Sequence, residues 1–404
     1  SHTWLTFGLW KILSLSLRSA LSFIFCCWLL AVSLAIALCM LDVLPMPSIR
    51  VADGPGGYEA ECATGPWVLL AGFMGCFLGL LFSPFACGKR EMCFIDKCSI
   101  HQEDHELKER GIYGIGGFLQ RSRELRVLWS SPYLSRLWCV FELAAYRKAN
   151  PTGKITFVPL YIESVTCAYL FFGYILAFVF HTISALLERR PSVVEALAAF
   201  APGIALFHAL RKLSMARVKL FSDMEHFDMD DVKCSEEFDR EFVLTAINDW
   251  YGSSEAFVAY VRGPLRTEMS KMVLKASTPW SYCLLITTSS VCQAMTALLS
   301  LWKCGTPADV CLSYMLAHVV AQGLVYYMLT MKLTLHLCDR FAAPWRAGLC
   351  NVMQSCLIFI CWLVAFTAGD VVARIAYKAG PMPSAVLLGV TVCALWLPAW
   401  LKLP

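Results

Sequence analysis

The sequence predicts a multi-pass α-helical membrane protein of about eight spans, carrying a small cytosolic α/β module. Three observations predict it. Hydrophobic residues make up 58% of the 404 residues and charged residues only 16%, against about 45–50% and about 25% in soluble domains. Apolar stretches near the roughly 20 residues that cross a bilayer core recur along the chain. Between them lie two long polar segments that concentrate the Lys and Arg. The composition excludes a disordered chain, an ordinary soluble enzyme and a strongly basic nucleic-acid-binding domain, and it implies a lipid bilayer as the first partner.

The N-terminal residues 4–17, WLTFGLWKILSLSL, read as an interfacial helix ahead of the first span. A signal peptide is the rival, because Ala35-Ile36-Ala37 resembles a cleavage pattern. The expected spans are Ala20–Leu41, Trp67–Ala86, Val165–Leu187, Val193–Leu210, Trp280–Leu301, Asp309–Met331, Gly348–Ala368 and Ala385–Leu401. The fourth and eighth are short and contain Pro202 and Pro398, so a re-entrant or tilted path suits them.

Positive charge orients the chain. Segments 88–164 and 211–276 hold 12 and 10 of the 34 Lys and Arg, whereas the loop 42–66 holds only Arg50. Both long segments and both termini are therefore placed in the cytosol; Arg189 and Arg190 fall on the opposite side. The expected organisation is 1–87 (interfacial helix and two spans), 88–162 (α/β module), 163–210 (two spans), 211–276 (helical segment packing on the module) and 277–404 (four spans). Of the 20 Cys, most lie in apolar runs and act as small hydrophobes. Cys62, Cys304 and Cys311 fall on the non-cytosolic side, where a bridge among them is the minority reading.

Segment 93–161 alternates in type. Cys93–Asp96, Leu125–Trp129 and Ile155–Leu160 are strand candidates, separated by amphipathic Glu106–Arg121 and by a helix from Ser135 to about Lys148. Strands separated by helices predict a parallel sheet. In the second segment Phe238, Phe242, Val243, Ile247 and Trp250 form a helical stripe that Gly252 ends, Ser254–Val261 begins another helix, and Phe227–Lys233 is an edge-strand candidate.

The series FID, then GI…FLQRSRELRVLWSSPYLSRLWCVFEL, then KITFVPLY resembles a Toll/interleukin-1 receptor (TIR) domain from its second strand through its fourth. The whole arrangement also resembles multi-pass membrane proteins of dinoflagellate algae. In TIR domains that cleave NAD the catalytic glutamate lies in the WCxxEL motif, so the resemblance implies Glu142 here, with NAD as a substrate rather than a bound cofactor. A carboxylate there can stabilise the oxocarbenium ion formed as nicotinamide leaves. Trp138 shares the helix face of Glu142, and Ser130 and Ser131 follow a strand end, where open α/β sheets bind ligands. The resemblance also implies an interaction loop at Glu103–Arg110, with Glu103, Asp104, Glu106, Lys108 and Arg110, and self-association or a protein partner. A non-enzymatic signalling or assembly platform is the favoured function, NAD cleavage and small-molecule or ion transport the alternatives.

Two clusters read as structural. Cys98, His101, Asp104 and His105 form a polar loop rather than a metal site, and Gly111, Gly114, Gly116 and Gly117 belong to a closely packed helix. Intramembrane polar residues are the remaining candidates: His181, His208, Gln293, Asp309, His318, Gln322, Asn351, Gln354 and Asp370. A transport path would use His318 with Gln322 and Asn351 with Gln354; interhelical hydrogen bonding is the plainer reading.

Overall fold

A computed structural model describes residues 2–86, 92–95, 99–101, 103–129, 136–187, 199–232, 237–275, 279–345 and 348–400. Two compact units divide the chain. The membrane unit comprises Leu13–Cys87, Ile162–Ser214 and Thr278–Pro404, and the polar unit Ser1–Ile12, Gly88–Tyr161 and Met215–Ser277.

Six helices are long and apolar enough to cross a membrane, which makes the chain an integral helical membrane protein. They are α1 (His2–Met40), α2 (Trp67–Ala86), α5 (Leu160–Leu187), α10 (Trp280–Lys303), α11 (Ala308–Arg340) and α12 (Leu349–Ala379). In α1 the backbone breaks at Ala20 (φ −121°, ψ 17°), and the apolar span Ala20–Met40 follows. Residues 193–198 of the fourth expected span lie outside the described residues, and its last part, Gly203–Leu210, opens α6 (Gly203–Glu225). The eighth lies in α13 (Pro381–Trp400), of which Pro381–Leu395 is a shorter apolar helix.

Helix α10 is the centre of this unit: 67% of its apolar window is buried inside the protein, against 22% in α5 and α12. Small residues bring α2 close to α1. A Cβ on Gly75 would stand 2.8 Å from Trp28 Cα, and one on Gly79 2.9 Å from Ile24 Cα, so only hydrogen fits at either position.

The loop after α1, which the sequence analysis weighed only for its charge, forms an antiparallel hairpin of β1 (Ser48–Asp53) and β2 (Glu59–Thr64). Its turn runs through Pro55–Gly57, with Gly56 and Gly57 at φ +67° and +79°, a region glycine enters without strain. Ala52 and Cys62 of the hairpin pack with Ala297, Leu301, Val310, Tyr314 and Tyr377. Lys378 Nζ lies 2.7 Å from Asp53 Oδ2, and Tyr58 Oη 3.0 Å from Thr306 Oγ1.

The polar unit is built on α3 (His105–Arg121), β3 (Glu124–Trp129), α4 (Leu137–Ala149) and β4 (Lys154–Pro159). Strands β3 and β4 pair in parallel from Glu124↔Lys154 to Trp129↔Pro159; α4 is the crossover that a parallel pair requires. Helices α7 (Glu237–Tyr251), α8 (Ser254–Tyr260) and α9 (Arg266–Lys275) come from the second polar segment. One core joins the two segments: Leu119, Val127, Phe141, Tyr146 and Ile155 from the first, Met224, Val243, Ile247, Phe257 and Met269 from the second.

Two strand expectations are corrected. Residues 93–95, the described part of the Cys93–Asp96 candidate, are irregular, and Phe94 stacks on Phe118 (4.4 Å between centroids) instead of joining a ladder. Residues 227–232 form a turn in which Phe227, Met229 and Val232 drop into the core, and Arg262 Nε donates to the Phe227 carbonyl (2.8 Å).

Candidate functional site

Helices α5, α6, α10, α11 and α12, with the hairpin, line a half-open cavity of about 530 Å3 in the membrane unit. Its lining on α5 runs from Tyr169 to Ala185, roughly 24 Å at 1.5 Å per residue, so it is elongated along the helices. One end is aromatic and aliphatic, with Phe200, Phe207, Ile286, Met331, Phe359 and Trp362. The ring of Phe207 sits 5.4 Å from both Phe359 and Trp362, within the range of favourable aromatic pairs.

Toward the hairpin the lining becomes polar: Arg50, His181, Tyr314, His318, Asp370 and Arg374. Three of these side chains and the Gln322 amide form a relay. His318 Nδ1 is 2.7 Å from Gln322 Oε1, and Gln322 Nε2 donates to Asp370 Oδ1 (3.2 Å). Asp370 in turn pairs with Arg374 one turn along α12. His318 and Gln322 lie in a π-helical stretch of α11, Met315–Tyr326. Wide turns of this kind are rare and cluster at functional positions. Ser290 Oγ of α10 donates to the Gly323 carbonyl of that stretch (2.7 Å) and ties it to the central helix. Gln293 Oε1 and Tyr169 Oη are buried without a hydrogen-bond partner among the described residues.

Arg50 was read for orientation alone, yet the strand register aims it inward. Side chains alternate along a strand, so Arg50 shares the face of buried Ala52, opposite buried Cys62. It is half-buried, lines the cavity, and has no hydrogen-bond or ion-pair partner among the described residues. The spacing SIRVAD-GPGG-YEAECAT carried the hairpin signal, and Asp370-x-x-x-Arg374 the helical ion pair.

Of the intramembrane candidates, His181, Gln293, His318, Gln322 and Asp370 line the cavity. Asn351 and Gln354 are not part of its lining. Arg211, 1% exposed, donates to the Asn351 carbonyl and to Ser355 Oγ (2.6 Å each) and to Asn351 Oδ1. Gln354 donates to the Phe341 and Ala343 carbonyls and accepts from Trp345 N. Both are fixed on protein groups. His208 Nδ1 meets Ser355 Oγ (2.9 Å), and Asp309 sits in the first turn of α11.

In the polar unit, Trp138 and Glu142 lie one turn apart on α4, as expected. Trp138 packs edge-on against Phe141 (5.4 Å) and beside Phe242 of α7 (6.4 Å), while Glu142 is half-buried. Ser130 and Ser131 lie outside the described residues. The expected loop Glu103–Arg110 is helical from His105: Asp104 caps α3 by accepting from Leu107 N (3.0 Å), and Glu106 pairs with Arg110 (2.7 Å) on the exposed surface. Glu103 is exposed, Lys108 half-buried, and His101 Nδ1 accepts from Asp104 N (2.9 Å).

Outside the membrane spans, burial followed by the neighbouring Cys304 pushes the Cys62 thiol up to about 12, and Cys62, Cys304 and Cys311 are free thiols. No protein-family model, curated protein or solved structure matches the chain.

Proposed function

We propose that the chain binds a small amphipathic molecule inside its helical bundle, as a membrane receptor or carrier. The observation that carries this reading is the cavity. Ligand pockets span roughly 300–1,000 Å3, and this half-open cavity, at about 530 Å3, falls within that range. Its apolar wall with convergent polar groups at one end matches the make-up of such sites.

The test is extraction and mass spectrometry of small molecules that remain with the purified full chain in detergent, beside Ala294→Phe and Ala177→Phe. Both alanines line the cavity, and either phenylalanine fills part of it. Retained amphiphile that both variants lose supports the reading. Retention equal in all three proteins, or none above empty micelles, overturns it.

A second reading concerns the polar unit: a cytosolic, TIR-like module that assembles with a protein partner or a second copy. It is favoured by the packing of α4, where Trp138 contributes to the aromatic core and the ion pair Glu106–Arg110 faces outward.

A further inference from the structure

We infer that the occupant of the cavity is a single-chain lipid with a carboxylate head, held head-first by Arg50. This rests on the cavity being a ligand site and adds the chemistry of its ligand. Charge is the first argument. Asp370 and Arg374 neutralise each other inside the lining, so that among its described Asp, Glu, Lys and Arg residues Arg50 leaves one positive charge in excess. A half-buried guanidinium has lost part of its hydration and recovers most from an oxyanion that accepts both prongs of its fork. Arg50 has no such acceptor among the described residues.

Shape is the second argument. From the hairpin end the lining changes from Arg50, His181 and Tyr314 to Phe200, Phe207, Phe359 and Trp362. That gradient suits a polar head followed by a hydrocarbon tail. Its length of roughly 24 Å exceeds half of a ~30 Å hydrocarbon core, so one acyl chain of leaflet length fits with its head.

Third, Arg50 belongs to a hairpin that is fixed. The Lys378–Asp53 ion pair and the Tyr58–Thr306 hydrogen bond hold the end of β1 and the turn after it to the bundle. The guanidinium is thus presented at a set place instead of on a mobile loop, which lowers the ordering cost of binding.

The experiment measures melting temperature and affinity of the full chain in a neutral detergent with three probes: oleate, oleyl alcohol and 1-oleoyl lysophosphatidate. Wild-type protein should bind oleate at least tenfold more tightly than the alcohol. Arg50→Gln should bring oleate down to the affinity of the alcohol and leave the alcohol unchanged, while Arg50→Lys recovers part of the difference. Equal binding of oleate and alcohol to wild type overturns the head-group assignment and leaves the ligand site standing. Arg50-dependent binding of lysophosphatidate with none of oleate overturns the carboxylate in favour of phosphate. No binding of any probe to wild type, with a retained native molecule lost in Ala294→Phe, overturns the lipid class alone; no probe and no retained molecule overturns the site itself.

Discussion

Truncating Phe141 to alanine tests whether the two polar segments fold as one unit. Phe141 is 3% exposed, with ring centroids 5.4 Å from Trp138 and Trp250 and 5.8 Å from Phe242. Removing a buried phenylalanine costs about 3–5 kcal/mol, and each lost aromatic pair about 0.5–1.5 kcal/mol of that. Against a domain stability of about 5–15 kcal/mol the loss is large. It should raise the opening equilibrium of the unit by more than 100-fold, since about 1.4 kcal/mol is tenfold. Hydrogen exchange of the full chain in detergent reads this peptide by peptide. Peptides covering α4 and α7 should lose protection together, although Phe141 and α7 lie about a hundred residues apart in sequence, and peptides in α10 should not change. The double variant Phe141→Ala, Trp250→Ala should fall short of additivity by about 0.5–1.5 kcal/mol. Unchanged protection in α7 beside a softened α4 would refute the shared core.

Charge reversal at the surface of α3, Glu106→Lys with Arg110→Glu and Glu103→Lys, should alter oligomer size in light scattering while circular dichroism stays the same; unchanged assembly removes that surface from the platform reading. Purified chain incubated with NAD tests the enzyme reading: nicotinamide release that Glu142→Gln abolishes supports it, and no release above background removes it. Arg211→Lys should lower the melting temperature by the equivalent of about 1–3 kcal/mol, because the lysine cannot serve Asn351 and Ser355 together and leaves a buried acceptor unmet. Acid should loosen the β3–β4 pair. Burial pushes the Glu124 carboxyl up, but Thr156, Arg126 and Lys154 outweigh it and hold the group below its usual range. A depressed carboxylate stabilises fully above the unfolded value of about 4.3 and loses that contribution as pH falls through the folded one. Glu124→Gln should therefore be less stable than wild type at pH 7, and the difference should shrink as pH falls below about 4.3.

What the sequence disclosed follows from which forces act locally. Hydropathy marks a span because every residue in hydrocarbon meets the same solvent, so α2, α10 and α12 are legible from composition. The β3–α4–β4 unit is legible because runs such as LRVLW and ITFVP sit either side of a helical stripe. The strand expected at Cys93–Asp96 failed for a different reason. Its apolar residues can be buried as well by an aromatic stack as by a ladder, and Phe94 takes Phe118. Short apolar runs do not separate those outcomes.

The cavity was the least legible feature, because a void is a property of several helices at once. Polarity within the spans flagged His318, Gln322 and Asp370, but it flagged Asn351 and Gln354 equally. Only the fold shows that the second pair is fixed, by Arg211 in one case and by backbone carbonyls in the other. Arg50 inverts the case: a charge outside the spans, recorded as a topological marker, is turned by strand alternation onto the face of Ala52 and into the site. The positive-inside rule treats such a residue only as a marker of orientation. It gives no reason to keep one, and an inward-facing arginine on a pinned hairpin supplies that reason.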